Sequence, residues 1–202
     1  MLANALRGHA AEFGIAGAKG LCQIGTLLER IAAANVPELA RDLFASLARQ
    51  FEALDQQIAA LDERLEAWHR ATERSRRLAT VPGIGVIGAA ALTMKVADPN
   101  AFRSGRHFAA WIGLTPRDHS TAGRQRLGVI TKKGDEMLRH LLVSGAMAVI
   151  HRTRPERQPP WLRRLLARKP KKLVAVALAN KTARIAWALM SRGRTYQRPV
   201  PV

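Results

Sequence analysis

The sequence predicts a largely all-α protein, in which a long heptad-patterned helix is followed by a compact helical domain. Three observations predict it: a sustained spacing of apolar residues by three and four, a glycine-rich turn between two helical segments, and apolar helical stripes near the C-terminus. At 202 residues the chain is long enough to bury a core. We predict three parts, residues 1–37, 38–77 and 78–202.

In the first part, the sequence predicts a short helix over residues 2–13, followed by an irregular, glycine-containing loop. The second part carries a heptad seam made of Phe44, Leu47, Phe51, Leu54, Ile58, Leu61, Leu65 and Trp68. This seam predicts a helix of about 37 Å that pairs with another helix, and residues 69–80 should continue as a charged helix. The partner helix can belong to the same chain or to a second subunit, and we expect a homo-oligomer through it.

The third part begins with a glycine-rich turn in the stretch LATVPGIGVIGAAAL, Leu78 to Leu92. Its glycines match the G-x-G-x-x-G spacing of dinucleotide-binding loops, but a charged helical run precedes them where that fold needs a buried strand. The stretch instead resembles the helix-hairpin-helix motif. That motif predicts backbone contacts from Gly83 and Gly85 to a nucleic-acid phosphate, with a tightly packed turn between two helices as the alternative.

Charge is distributed unevenly along the chain. Residues 1–101 hold 11 basic and 11 acidic side chains, whereas residues 102–202 hold 22 basic and 4 acidic ones. Such a field of one sign is tolerable where a polyanion neutralises it, so we expect nucleic acid as the partner. The apolar stretches are interrupted before they could span a membrane, and no signal peptide is apparent. The lone Cys22 fits a cytoplasmic protein without disulfides, and the scattered histidines give no zinc spacing.

A stretch of about twenty residues from Thr115 to Asp135 shows little periodicity, which is typical of a functional or disordered loop. Ser120 and Thr121 lie at its centre. The basic side chains around them are Arg117, Arg124, Arg126, Lys132 and Lys133. A serine here can donate to a phosphate or can attack phosphorus as a nucleophile while the arginines stabilise the developing charge.

The remaining residues predict basic helices. Asp135 is a plausible N-cap for the helix that follows it, and Gly145 would allow another element to approach that helix closely. Four further basic residues predict a phosphate-facing surface: Arg163, Arg164, Lys171 and Lys172. The last helix, 173–192, is apolar nearly all round, which predicts burial. Lys181 and Arg184 within it would then need a carboxylate or a nucleic-acid phosphate as partner.

Together these pieces resemble the C-terminal transposase domain of the DEDD-type, bridge-RNA-guided insertion-sequence transposases, relatives of the Piv DNA invertases. The resemblance covers most of residues 78–196. It is carried by PGIG, by FAAWIGLTPRDHSTAG, by LGVITKKGD and by ARKPKKLVAVALANKTARIAWAL. Residues 1–77 are similar to the helical and coiled-coil linker that precedes that domain.

The resemblance implies a bacterial, nucleoid-associated recombinase that binds DNA and structured guide RNA. Its serine nucleophile would be Ser120, or Thr121 if the alignment shifts by one residue. Magnesium would be held by an acidic RuvC-like half that these residues do not match, so we expect no metal or other cofactor in this chain and no DNA cleavage by it alone. The alternative is a non-catalytic, basic helix-hairpin-helix protein that binds DNA or RNA.

Overall fold

Helices make up 71% of the protein in the computed structural model, so the prediction of a largely all-α fold is confirmed. The structure describes residues 2–120 and 126–197. Over these residues it contains nine α-helices and one two-stranded ribbon. The helices are α1 (Leu2–Glu12), α2 (Ile24–Ala33), α3 (Glu38–Ala71), α4 (Glu73–Ala79), α5 (Val86–Lys95), α6 (Gly105–Trp111), α7 (Glu136–Arg152), α8 (Pro160–Leu166) and α9 (Lys171–Arg192); the strands are β1 (Pro116–Asp118) and β2 (Leu127–Ile130).

The chain divides into two compact units, Met1–Arg64 and Leu65–Val202. In the first unit, α1, α2 and the beginning of α3 enclose a small core around Leu6, Ile24, Leu27 and Phe44, each at most 2% exposed. The loose stretch predicted after α1 holds only a short 3₁₀ turn, Leu21–Gln23, before α2 begins.

The heptad helix α3 is 34 residues long, which corresponds to about 51 Å. The two ends of its apolar seam differ in environment. Phe44 is buried and Phe51 is partly buried in the first unit's core, whereas Leu54, Ile58 and Leu61 are 50%, 58% and 60% exposed. The seam is therefore covered at its beginning and open in its middle.

The prediction that residues 69–80 continue as one charged helix is wrong. Thr72 adopts an extended conformation (φ −97°, ψ 106°) and separates α3 from α4. A hydrogen bond of 2.7 Å between His69 Nδ1 and Oγ of the fully buried Ser75 joins the two helices across this break. Helical periodicity in the sequence reveals neither the extended Thr72 nor this contact between side chains.

The core of the second unit is built on the packing of α7 against α9. The face of α9 that carries Val174, Ala175, Ala179, Ala183 and Ala186 is fully buried. The prediction that α9 is buried all round is wrong, because Lys181 and Arg184 are exposed on its outer side. By length and composition alone α9 could also cross a membrane, but a core helix passes the same test.

The two-stranded ribbon was not predicted, since residues 115–135 carry no strand periodicity. Its strands pair antiparallel, with Pro116 opposite Ile130 and an irregularity before Asp118. The pairing joins residues that lie about a dozen positions apart. A pattern within a short stretch of sequence therefore does not predict it.

Candidate serine site and nucleic-acid interface

The base of the ribbon is held tightly against the end of α6. Gly113 (φ 80°) and Gly134 (φ 89°) both adopt left-handed conformations, and a Cβ on either would overlap backbone of the opposite segment. The Lys132 amide donates to the Gly113 carbonyl at 3.2 Å, and the Thr131 amide donates to the Thr115 carbonyl at 2.9 Å. Glycine is needed at both positions because no side chain fits between the two segments.

Side chains from α7 and α9 fasten the same base. Asn180 Nδ2 on α9 donates to the Leu114 carbonyl at 3.1 Å, and the Arg139 guanidinium on α7 donates to the Ile112 carbonyl at 3.0 Å. The ribbon thus begins from backbone that the helical core holds in place. Asn180, a polar residue on the largely apolar α9, serves as this tie.

Asp135 caps α7 directly after Gly134, as predicted. Its carboxylate accepts from the Leu138 amide at 2.8 Å and from Lys95 Nζ at 2.7 Å. Partial burial favours the neutral acid, but the Leu138 amide and the Lys95 ammonium outweigh it and place the pKa of Asp135 below its ordinary value. The cap fixes where α7 starts relative to the ribbon.

Ser120 lies at the far end of the ribbon, where the backbone turns away from β1. Its amide donates to Asp118 Oδ1 at 2.9 Å, and its Oγ accepts from the Arg126 amide at 3.1 Å. The His119 amide donates to the Arg126 carbonyl at 2.9 Å and closes the same turn. The hydroxyl is therefore held between the two arms of the ribbon while Ser120 itself is exposed.

The hydrogen bonds of the Ser120 turn change the pKa of the Asp118 carboxylate. Hydrogen bonds from the Ser120 side chain and then from its amide hold the pKa of Asp118 below its ordinary value. The group is an anion at neutral pH and serves as an acceptor that orients the serine rather than as a strong base. The pairing of an aspartate with the amide two residues on is an Asx-turn, so the D-x-S spacing was a usable signal for Asp118 that sequence reasoning missed.

Basic side chains lie exposed on the ribbon and on the helices beyond it. Arg117 is on β1, Arg126 precedes β2, and Lys132 and Lys133 are at the ribbon's base. The exposed residues on α8 and α9 are Arg163, Arg164, Lys171, Lys172, Lys181 and Arg184. Thr121 and Arg124, the other two predicted site residues, fall outside the described part of the chain.

Lys181 is the one predicted site residue with an aromatic contact in the described part, since its Nζ lies 4.3 Å from the centre of the Trp161 ring. This cation–π contact holds the lysine over α8 while leaving it exposed to a ligand.

The two glycines of the turn between α4 and α5 have different surroundings. Gly83 (φ 91°) is packed against Gly145 of α7, and a Cβ on Gly83 would lie 3.0 Å from the Gly145 carbonyl oxygen. Gly85 is exposed at the N-cap of α5, with no atom within 4 Å of an added Cβ. The close approach predicted at Gly145 is thus made by the turn itself, and only Gly85 has open space for a phosphate.

Among the described residues, the aspartates of the ribbon and of the α7 cap are each bonded to other groups of the protein. Asp118 is bonded to Ser120, and Asp135 is bonded to Lys95 and Leu138. Over residues 2–120 and 126–197 no three His, Cys, Asp or Glu side chains are grouped as metal ligands would be. Among the described residues, Asp118 and Asp135 are each engaged by their own partners and are not grouped to hold magnesium.

The sequence of this chain is similar to that of several known proteins. Residues 75–163 match the model of the Transposase IS116/IS110/IS902 family. A Sinorhizobium fredii protein named as a transposase is 59% identical over 98% of this chain and 52% of its own length. The transposase for insertion sequence element IS1111A of Coxiella burnetii is 34% identical over 97% of this chain and 55% of its own length.

A more distant relative comes from a different kind of DNA rearrangement. The pilin gene-inverting protein of Moraxella bovis is 29% identical over 63% of this chain and 40% of its own length. The chain spans about half the length of the curated transposases it matches. By its matching segment and over nearly its whole length, the chain is similar to transposases of the IS110/IS116 family.

Proposed function

We propose that this chain is the part of a transposase that binds DNA and supplies a serine nucleophile for strand exchange. The observation that carries the proposal is the geometry of Ser120, an exposed hydroxyl held between Asp118 and the Arg126 amide at the end of a ribbon whose base is fastened to the core. A nucleophile needs both access and a fixed direction, and the ribbon provides both.

The proposed chemistry is an attack of Ser120 Oγ on a DNA phosphorus. An Oγ–P bond forms, the bond from phosphorus to one deoxyribose oxygen breaks, and the serine proton passes to a base or to solvent. The Arg126 amide that now donates to Oγ keeps the oxygen oriented, and Asp118 holds the loop. Arg117, Arg124 and Arg126 are the arginines nearest to Ser120 in sequence, and we propose that they stabilise the charge on the phosphoryl oxygens.

The exposed basic surface of the ribbon, α8 and α9 is the proposed contact area for DNA and for a structured guide RNA. Phosphate contacts of this kind position nucleic acid without reading its sequence. A cytoplasmic protein associated with the nucleoid fits this role. By the family resemblance, magnesium would accompany a RuvC-like half rather than residues 1–202, and we expect these residues to bind DNA without cutting it alone.

The test is a chimera in which this chain replaces the matching half of the Sinorhizobium fredii relative. We expect Ser120→Ala in the chimera to lower recombination by at least 10³-fold, since the nucleophile is lost. DNA affinity should be unchanged. Thr121→Ala is the matched control and should retain recombination.

Two results would count against the proposal. If Ser120→Ala recombines like the unsubstituted chimera, the serine is not the nucleophile. If Ser120→Ala instead loses DNA binding, the serine is a phosphate donor and the ribbon is a binding element only.

A second candidate function rests on the turn between α4 and α5. Gly85 is exposed at the start of α5, whose first amides point out of the helix, as in a helix-hairpin-helix contact to a phosphate. A non-catalytic DNA- or RNA-binding protein would need only this turn and the basic helices. The Ser120→Ala chimera decides between the two, because loss of recombination with binding retained favours the catalytic function, whereas loss of binding favours the non-catalytic one.

We also propose that α3 pairs with α3 of a second copy. Its exposed heptad residues Leu54, Ile58 and Leu61 form an open apolar seam of the kind that two helices bury together. Ile58→Asp should convert a dimer to a monomer in light scattering, while Gln56→Asp, on the side of the helix opposite the seam, should not. A monomer before any substitution would refute the pairing.

A further inference from the structure

A second basic site lies away from the ribbon, in an open cleft between α4 and the end of α9. Its volume is about 670 Å³, within the range of small-ligand sites. One wall consists of residues of α4 and its C-cap, the other of the last turn of α9, and the chain after α9 forms the rim. The lining includes four arginines and one acid: Arg76, Arg77, Arg192, Arg194 and Glu73.

The acid does not balance these charges. Among the described residues Glu73 pairs with Arg77 alone, at 3.8 Å, and the Glu73 side chain is 73% exposed, so the pair contributes little. Arg77 is partly buried, with 24% of its side chain exposed, and it lies against Gly193 at the C-cap of α9. Repulsion from Arg77 also helps burial to lower the pKa of the neighbouring Arg74.

Helix ends give one structural reason for arginines here, because the carbonyls at a helix C-terminus attract cations. Arg77 is placed to serve that purpose. Arg76, Arg192 and Arg194, however, make no hydrogen bond or ion pair with any described residue. The helix ends are capped by backbone instead, since the Thr80 amide donates to Arg77 and Leu78 carbonyls and the Gly193 amide donates to the Leu189 carbonyl.

The rim of the cleft is fixed by contacts to α4. The Tyr196 amide donates to Thr80 Oγ at 3.2 Å, and the Thr80 hydroxyl donates to the Arg77 carbonyl at 2.6 Å. Tyr196 also packs against the core of the second unit. These contacts keep Arg194, Thr195 and Gln197 at the cleft, where a guanidinium, a hydroxyl and an amide can all donate hydrogen bonds.

We propose that this arginine cleft, formed by the residues named above, binds the sugar–phosphate backbone of a nucleic acid at a site separate from the serine ribbon. Three guanidiniums without described partners, a set of neutral donors and a single exposed acid form a receptor for phosphodiesters. None of the described lining residues is aromatic, so the cleft offers no ring to stack on a base. The cleft therefore contributes affinity rather than sequence specificity. This inference rests on the proposed function, because it assigns one part of the surface that binds nucleic acid.

The test compares two variants that remove equal charge. Arg76→Gln/Arg192→Gln alters the cleft, and Arg154→Gln/Arg157→Gln alters exposed arginines of the connector between α7 and α8. Affinity is measured against salt concentration with a 30-bp DNA duplex, with an RNA hairpin and with inorganic phosphate. Thermal melts establish that both variants fold like the parent chain.

We expect the cleft variant alone to lose affinity for one of the two nucleic acids. Loss of two phosphate contacts should make the slope of log K against log salt shallower by roughly 1.8 for duplex DNA or roughly 1.4 for a single strand. The probe that shows the larger loss identifies the ligand as DNA or RNA.

Equal losses in the two variants would overturn the proposal, since only bulk charge would then matter. Unchanged nucleic-acid affinity in the cleft variant would also overturn it, including the case where the cleft binds inorganic phosphate alone. Neither result touches the role of Ser120. If instead the parent chain binds neither DNA nor RNA, the proposed function itself fails.

Discussion

The glycine turn between α4 and α5 and the serine ribbon both use closely packed glycines, but they differ in which residue is left exposed. Both carry glycines with positive φ, and both were predicted to touch phosphates. In the turn, Gly83 is occupied by a contact with Gly145 of α7. In the ribbon, the glycines Gly113 and Gly134 fasten the base, and Ser120 lies exposed at the far end. In both elements, close packing by glycine holds the backbone in place, and the residue left exposed is a different one, Gly85 or Ser120.

Breaking the packed turn should give the largest effect on stability. Gly145→Ala places a methyl group against the Gly83 carbonyl, 2.8 Å from its carbon, so α7 and the turn must separate. We expect the free energy of unfolding to fall by about 3 kcal/mol in denaturant titrations, the range found for overpacked cores.

Gly88→Ala is the matched control for that substitution. A Cβ on Gly88, inside α5, would meet only Ile84 Cγ2 at 3.5 Å, so we expect a gain of about 0.5 kcal/mol from helix propensity. A Gly145→Ala protein as stable as the parent would show that the two segments are not in close contact.

Loosening the base of the ribbon should have a smaller effect. Asp135→Ala removes the N-cap of α7 and the ion pair with Lys95, and we expect a loss of about 1 kcal/mol at pH 7. The control is Glu136→Ala, an exposed neighbour in the first turn of α7.

The same cap predicts a pH dependence. The pKa of Asp135 is lower in the folded protein than its ordinary value of 3.8. Its contribution is therefore fully present above the ordinary pKa and is lost as the pH falls through the folded pKa. The difference in stability between the parent and Asp135→Ala should shrink below about pH 4. A difference that stays constant down to pH 2 would contradict the assigned role.

Features that depend on neighbouring residues could be predicted from the sequence. The Asp135 cap was predicted, and it is present, with the Leu138 amide three positions along the chain as its partner. The heptad spacing likewise predicted a long helix, and α3 is one.

Features that join distant segments could not be predicted. The arginine cleft brings residues 73–80 together with residues 188–197, whereas the sequence predicted only a charged helix for the first group. The exposure of Lys181 and Arg184 was missed because alanine counts as apolar in a sequence although only one face of α9 is covered. The tie from Asn180 to Leu114 spans 66 positions.

The central claim is that the end of the ribbon carries the nucleophile, and the covalent intermediate tests it most directly. A recombining chimera with the Sinorhizobium fredii relative can be incubated with a nicked DNA duplex that traps the attached strand, and the DNA-linked peptide can be mapped by mass spectrometry. The account predicts a phosphodiester bond to Ser120 Oγ. Attachment at Thr121 or at any other residue would contradict it.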